Sequence, residues 1–345
     1  MRRLEALVPL AVPAGLLALV GFWGSFLSNA RSIEFVNTLV FAAIVIAVYV
    51  FVGNSGVISF GQIGFFILGA YAAGELSIPP DTKSSILPGT FHVIRDHSVS
   101  NAWSLVIAAA IGGLFAFLLG IPLMRLSGLA AGIATFAVLE ITQNIVGNWE
   151  KIGPGPLTLS TVSETTDLWQ ATIGAIAVAI VAFAYQLSPL GRKLRATRED
   201  PFAAQAAGID VHRQRLWAFT LSGALCGFAG GLFVHFQGTI NVADVYLDFT
   251  FLTLAMLVVG GTGSLLGATV GALVVSGLDL FLSDAEEGTV SWLHVGAGTS
   301  SVAVAAFMAI VLVFLPRGLT GGRELTLRDL TRLTRRRQRP VSEPS

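Results

Sequence analysis

Apolar stretches long enough to cross a bilayer recur along almost all of this 345-residue chain, and that leaves few folds open to it. Inside hydrocarbon every backbone N–H and C=O needs a partner within the protein, so a crossing segment of about 20 apolar residues has to be helical. Ten windows fit: 7–28, 35–52, 57–77, 102–124, 127–147, 168–187, 216–236, 246–262, 264–283 and 299–315. The third, eighth and ninth are interrupted by glycine or joined by a very short connection, so broken or re-entrant helices are open there. Composition agrees: 54% hydrophobic residues, 12% charged residues and a mean hydropathy of +0.75, against about 25% charge in soluble domains. The predicted fold is all-α, a polytopic membrane protein of about ten transmembrane helices.

The net charge is zero, with 21 basic and 21 acidic residues, but position breaks the balance. Given ten crossings and a cytoplasmic N-terminus, 17 of the 21 basic residues fall inside and only Arg31, Lys83, Arg95 and Lys151 fall outside. That bias is the positive-inside rule and predicts both termini in the cytoplasm. Moving one span in or out of the count would separate the 188–215 loop from the C-terminal tail and spoil the pattern. Arg2 and Arg3 precede an apolar run ending near Ser28-Asn29-Ala30, as in a cleaved signal peptide, but the run exceeds a usual signal core and a retained helix keeps the count even. Residues 1–320 are thus expected to form the permeation domain, with a cytoplasmic loop at 188–215, and 321–345 a basic tail. Arg335-Arg336-Arg337 in that tail suit anionic lipid head groups, at about 1 kcal/mol per basic residue, rather than nucleic acid.

Signals for catalysis are missing. The chain has three lysines, and Gly191-Arg192-Lys193 does not complete a phosphate-binding loop. Five histidines form no metal-ligand spacing, and Val57 before Ser59 breaks the nucleophile-elbow pattern. A single cysteine, Cys226, allows no intramolecular disulfide. Neither a cofactor nor a metal is expected, and the chain does not read as an enzyme.

Other features belong to membranes. Glycines recur four apart at Gly128 and Gly132, at Gly223, Gly227 and Gly231, and at Gly263, Gly267 and Gly271. Such flat faces let two backbones approach closely, either as fixed packing or as a seam that slides during transport. Polar groups in apolar spans should face the bundle or an aqueous path. Glu140, Gln143 and Asn144 share one helical face by their offsets of three and four. Together with Asn37 and Gln62 they are the translocation-path candidates, Glu140 being equally open to a structural hydrogen-bonded role. Asp279 lies near the end of its span.

The long loop contains a short capped helix. Asp200 suits an N-cap, Pro201 the first helical position, and Gly208 a left-handed stop after Phe202 to Ala207. Two turns rise roughly 10 Å, too little to span anything. Flanked by Arg192, Lys193, Arg195, Arg198, Arg213 and Arg215, this helix fits either the membrane surface or a partner's groove.

Three separated segments resemble the permease subunits of branched-chain amino acid ABC importers. They are Gly53-Asn54-Ser55-Gly56-Val57-Ile58-Ser59-Phe60-Gly61-Gln62 with Phe65, Gly69 and Tyr71; Arg195-Ala196-Thr197-Arg198-Glu199-Asp200-Pro201-Phe202-Ala203-Ala204 with Gly208-Ile209; and Gly260-Gly261-Thr262-Gly263-Ser264-Leu265-Leu266-Gly267 with Gly271. The resemblance runs from about residue 35 to about 320 and is to the longer of the two permeases. Gln62 stands where the family often has His, and Phe202 where the general coupling motif of ABC importers has Glu. The resemblance implies a second homologous permease, two ATP-binding subunits and an extracytoplasmic substrate-binding protein, in a bacterial-type inner membrane. It also implies ATPase coupling through Arg195, Arg198, Glu199, Asp200, Phe202, Ala203, Ala204 and Gly208. The other function class is a self-sufficient secondary carrier or channel with Glu140 as an ion or proton site. Outer loops near 78–101, 148–167 and 284–298 are the candidate docking surfaces for the binding protein.

Overall fold

The computed structural model describes residues 8–286, 296, 298–322 and 324. Its helices are α1 (Val8–Gly24), α2 (Asn29–Ser55), α3 (Gln62–Ser77), α4 (Pro80–Ile86), α5 (His92–Arg95), α6 (Asn101–Leu123), α7 (Gly128–Asn148), α8 (Leu168–Leu187), α9 (Pro189–Glu199), α10 (Pro201–Ala206), α11 (Val211–Gln237), α12 (Leu247–Gly260), α13 (Leu265–Glu286) and α14 (Thr299–Phe314). The described residues contain no strand, and one isolated antiparallel bridge pairs Leu159 with Ile240. Arg2, Arg3, Glu287 and nearly all of the basic tail lie outside the described residues.

Every one of the ten apolar windows holds a helix, but they differ in reach. Six helices are long and apolar enough to cross a membrane: α2, α6, α7, α8, α11 and α13; α3 with α4, bent by 119° at a short break, makes a seventh if counted as one broken span. The remaining three, α1, α12 and α14, have 17, 14 and 16 residues. At 1.5 Å per residue, α12 rises only about 21 Å, short of a hydrocarbon core of about 30 Å. It stops where Gly261 adopts φ +117°. The ninth window is not broken, since α13 runs 22 residues without interruption.

Helix α2 is apolar on all sides, and from Ala42 to Ser55 every residue is buried, as expected of a helix at the centre of a bundle. It packs against α8, α11, α12 and α13, and α11 packs in turn against α3 and α6. Aromatic rings from four helices lock this centre: Phe249 lies 5.3 Å from Phe41, 5.2 Å from Phe66 and 5.7 Å from Phe233, centroid to centroid.

Two of the three glycine series sit where backbones meet. A Cβ at Gly227 would lie 2.3 Å from the Ala108 carbonyl oxygen, at Gly223 2.3 Å from the Ala116 side chain, and at Gly231 2.8 Å from Leu105, so all three face α6. In the second series a Cβ at Gly271 would lie 2.0 Å from the Met256 carbonyl, at Gly267 2.2 Å from the Gly261 carbonyl, and at Gly263 2.6 Å from the Gly322 carbonyl. Gly128 and Gly132 differ: nothing lies within 4 Å of a Cβ at the first, and only the Ile58 carbonyl, at 3.9 Å, at the second. Equal spacing in sequence does not make equal faces, because α7 has few neighbours on that side.

Residues 315–322 fold back onto the α12–α13 connection. Leu319 N donates to Val259 O (2.8 Å), and Thr320 donates to Gly260 O through N (3.1 Å) and through Oγ1 (2.8 Å). These bonds satisfy terminal carbonyls that the end of α12 would otherwise leave unpaired. At the opposite end of the bundle, fully buried Lys83 donates Nζ to Ile94 O (2.8 Å) and His97 O (2.5 Å), stapling the 78–101 loop to itself.

Candidate functional site

The 188–215 loop is more structured than its capping residues alone predict. Ser188 accepts from Gly191 N through Oγ (3.1 Å) and opens α9 with Pro189 at the first position, a helix absent from the sequence-based expectation. Asp200 then caps α10, its Oδ1 accepting from Phe202 N (2.9 Å) and Ala203 N (3.0 Å). Gly208 stops the segment at φ +79°, with Ile209 N donating to Ala204 O (3.0 Å). A side chain other than glycine at that φ would be strained. Phe202 is 82% exposed, Glu199 and Asp200 are exposed, and Ala204 is buried.

The inner face of α9 sits on the end of α2. Arg195 donates Nε to Asn54 Oδ1 (2.8 Å) and Nη2 to the Tyr49 hydroxyl (3.1 Å), and the Gln186 amide donates to the same hydroxyl. Asn54 is held in turn by donation from Nδ2 to Val50 O (2.9 Å). Arg198 donates to the Gly53 carbonyl, and its stem fills the space where a Cβ of Gly56 would be, 2.9 Å from its Cγ. Gly56 ends α2 at φ +71°. Two of the three segments singled out from sequence, around residues 53–62 and 195–208, are therefore docked on one another through guanidinium groups whose fixed fork matches several acceptors at once.

Glu324 joins this cluster from the C-terminal segment. Its Oε1 accepts from Leu265 N (2.7 Å) at the start of α13, inside the third singled-out segment. Burial holds its carboxyl above the usual range, opposed by the Leu265 N–H and by the charge of Arg195. A cavity of about 760 Å³ opens beside the cluster, lined by Ser55, Gly56, Thr197, Arg198, Arg215 and Thr262 among others.

The five path candidates do not converge. Glu140 accepts from Asn144 Nδ2 through Oε1 (2.9 Å) and from the Tyr246 hydroxyl through Oε2, so its carboxylate ties α7 to the segment entering α12. Gln143 is half-buried on the same face. Gln62 is buried at the start of α3, where its Oε1 accepts from Ser59 Oγ (2.5 Å). Asn37 lines a different cavity, between α2, α12, α13 and α14. Among the described residues no hydrogen bond links Asn37, Gln62 and Glu140. Sequence reasoning missed Tyr49, Tyr246, Gln186 and Glu324. For the first, the available signal was a tyrosine within an apolar run, since a buried phenol needs a partner.

The chain is similar in sequence to known membrane permeases. The family described as branched-chain amino acid transport system, permease component, matches residues 30–315. The high-affinity branched-chain amino acid transport system permease protein LivM of Escherichia coli is 25% identical over 339 residues, 88% of this chain and 73% of the relative. The guanosine ABC transporter permease NupQ of Bacillus subtilis is 28% identical over 254 residues, 65% of this chain and 73% of its own. The autoinducer 2 import permease LsrC of an Enterobacter species is 30% identical over 192 residues, 52% and 55% respectively. No solved structure matches the chain.

Proposed function

We propose, from the premise that this chain belongs to the family of permease components of branched-chain amino acid transport systems, that it forms one half of the membrane path of an importer for branched-chain or related amino acids. It is a transport subunit of the ABC type, not a catalyst. A second homologous permease completes the path, two ATP-binding subunits meet it in the cytoplasm, and an extracytoplasmic binding protein delivers substrate to the outer loops. The ten helical windows lie in the bacterial cytoplasmic membrane with both termini inside, α12 reaching only part of the way across. Residues 1–320 form the permease domain and 321–345 a tail held near lipid head groups.

One observation carries the mechanism: α9 is hydrogen-bonded to the terminal turn of α2 through Arg195 and Arg198. Helix α10, with Phe202 projecting and Ala203 and Ala204 behind it, docks in a groove of the ATPase. Closure of the ATPase pair then displaces α9 and α10 as a rigid piece, and the guanidinium contacts hand that displacement to the central helix. The bundle alternates between outward-facing and inward-facing packing, with Glu140, Gln143, Asn144, Gln62 and Asn37 along the moving walls.

Cysteine placed at Ala203 in the assembled transporter tests the docking, because the native Cys226 is buried and does not compete. Crosslinking to an ATPase subunit is expected; no crosslink from Ala203 and neighbouring loop positions would overturn the coupling role. Uptake in vesicles tests the class. Dependence on ATP and on the soluble binding protein is expected, and uphill transport driven by an ion gradient alone would refute it.

A further inference from the structure

The cavity that holds Asn37 has the chemistry of a ligand subsite. It measures about 600 Å³ and lies between α2, α12, α13 and α14, within the size range of small-molecule pockets. Its walls are aliphatic and aromatic, including Phe41, Leu252, Met256, Val304 and Met308. Two carboxylates, Asp248 and Asp279, also line it. Neither makes a hydrogen bond or ion pair among the described residues. Arg31, the cation at the start of α2, is taken up by Asp284 at 3.8 Å, and Glu286 adds negative charge near Asp279.

A second observation points the same way. Ser276 lines the same cavity, is 7% exposed, and its hydroxyl has no hydrogen-bond partner. Buried hydroxyls without a partner are uncommon and costly. The neighbouring Thr38 hydroxyl, by contrast, is spent on Glu34 O at 3.0 Å. The cavity therefore presents two unneutralised acceptors, a free hydroxyl and the Asn37 amide against an apolar wall.

Position adds to chemistry. Phe251 and Ala255 line both this cavity and the larger one beside the coupling loop. The two cavities thus adjoin along α12 and share the half-exposed Phe251 ring, 5.9 Å from Phe60. A solute held in the first chamber lies next to the second.

We infer that the α2–α12–α13–α14 cavity binds an aliphatic α-amino acid as its zwitterion, the ammonium between Asp248 and Asp279, the carboxylate on Asn37 and Ser276, and the side chain on Leu252, Met256, Val304 and Met308. The identity of the solute class rests on the importer reading above; the ammonium requirement rests on the carboxylates. Movement of Phe251 admits the solute to the chamber beside Arg198.

Solvent access at Ala305, another lining residue, reports occupancy. In the full chain, assembled with its partners in lipid, Ala305→Cys is labelled with a methanethiosulfonate reagent in the presence of L-leucine, 3-methylbutylamine, 4-methylpentanoate or sodium chloride. Leucine and the amine are expected to slow labelling, and the acid and the salt are not. Asp279→Asn, and separately Asp248→Asn, should raise the leucine concentration needed by about tenfold or more, the equivalent of losing ~1.4 kcal/mol. Equal protection by all four probes, protection by sodium alone, or no protection would overturn the subsite, and these comparisons need no aspartate variant to fold. ATP-driven uptake without amine-selective protection sinks the subsite and leaves the importer; protection without ATP dependence does the reverse.

Discussion

Replacing Gly227 by alanine asks how much the α11–α6 seam contributes to the bundle. The added methyl would lie 2.3 Å from the Ala108 carbonyl oxygen and 3.1 Å from Gly112 Cα. Ordinary contact begins near 3.4 Å, so the helices must part by about 1 Å at this point. A gap of that size forfeits up to about half of each dispersion contact along the seam. Both obstructing atoms are backbone and cannot rotate aside, which places the cost near the upper end of the ~1–3 kcal/mol typical of overpacking. Alanine recovers up to about 1 kcal/mol through helix propensity, leaving a net loss of about 2 kcal/mol. For a chain of this size that lowers the melting temperature by about 3 °C.

Cys226, fully buried one residue away and the sole thiol, supplies the assay. A thiol-reactive dye reports its exposure as purified protein is heated. The matched control is Gly277→Ala in α13, where nothing lies within 4 Å of the new methyl; its melting temperature should stay level or rise. Were Gly227→Ala to melt at or above the parent, or both variants to shift together, close approach at this seam would not be what holds the helices.

Arg195→Ala removes the bonds to Asn54 and Tyr49; a loss of ~1.4 kcal/mol from the docked state corresponds to about tenfold. Uptake per ATP hydrolysed should fall by that order while hydrolysis by the assembled complex persists, and unchanged coupling would argue against α9 as the link. Tyr246→Phe takes away one donor to Glu140, worth about 1.5–3 kcal/mol for a hydrogen bond to a carboxylate; hydrogen exchange should quicken in α7 and stay unchanged in α6 and α11. Glu324, whose carboxyl is held above its usual range, binds its proton more tightly folded than unfolded. Stability should therefore rise as pH falls from neutral through the raised value, and cease rising below the ordinary glutamate value. Glu324→Gln keeps an acceptor for Leu265 N–H and should flatten that part of the pH profile, read by tryptophan fluorescence on heating.

Much of the architecture was legible because lipid imposes a simple demand. Runs such as 102–124 and 168–187 became α6 and α8 within a residue at each end, since no other backbone satisfies itself in hydrocarbon. The α10 cap was readable for a similarly local reason: Asp200 and Pro201 act on their immediate neighbours. What defeated reading by sequence was distance along the chain. Asn54 and Arg195 are 141 positions apart, and Tyr246 is 106 from Glu140. The polar residues of the path candidates were identifiable as costly in lipid, but not which neighbour would offset the cost.

The two kinds of information divide along the range of the forces involved. Helicity and the break at the 260–264 connection followed from residues acting over one or two turns. Which glycines became contacts was decided by packing: Gly227 meets α6 while Gly128 and Gly132 meet almost nothing, although all three series share one spacing. Packing likewise seated α9 on α2 and brought Asp248 and Asp279 to the lining of one cavity, because close approach and hydrogen-bond geometry depend on where remote backbones lie.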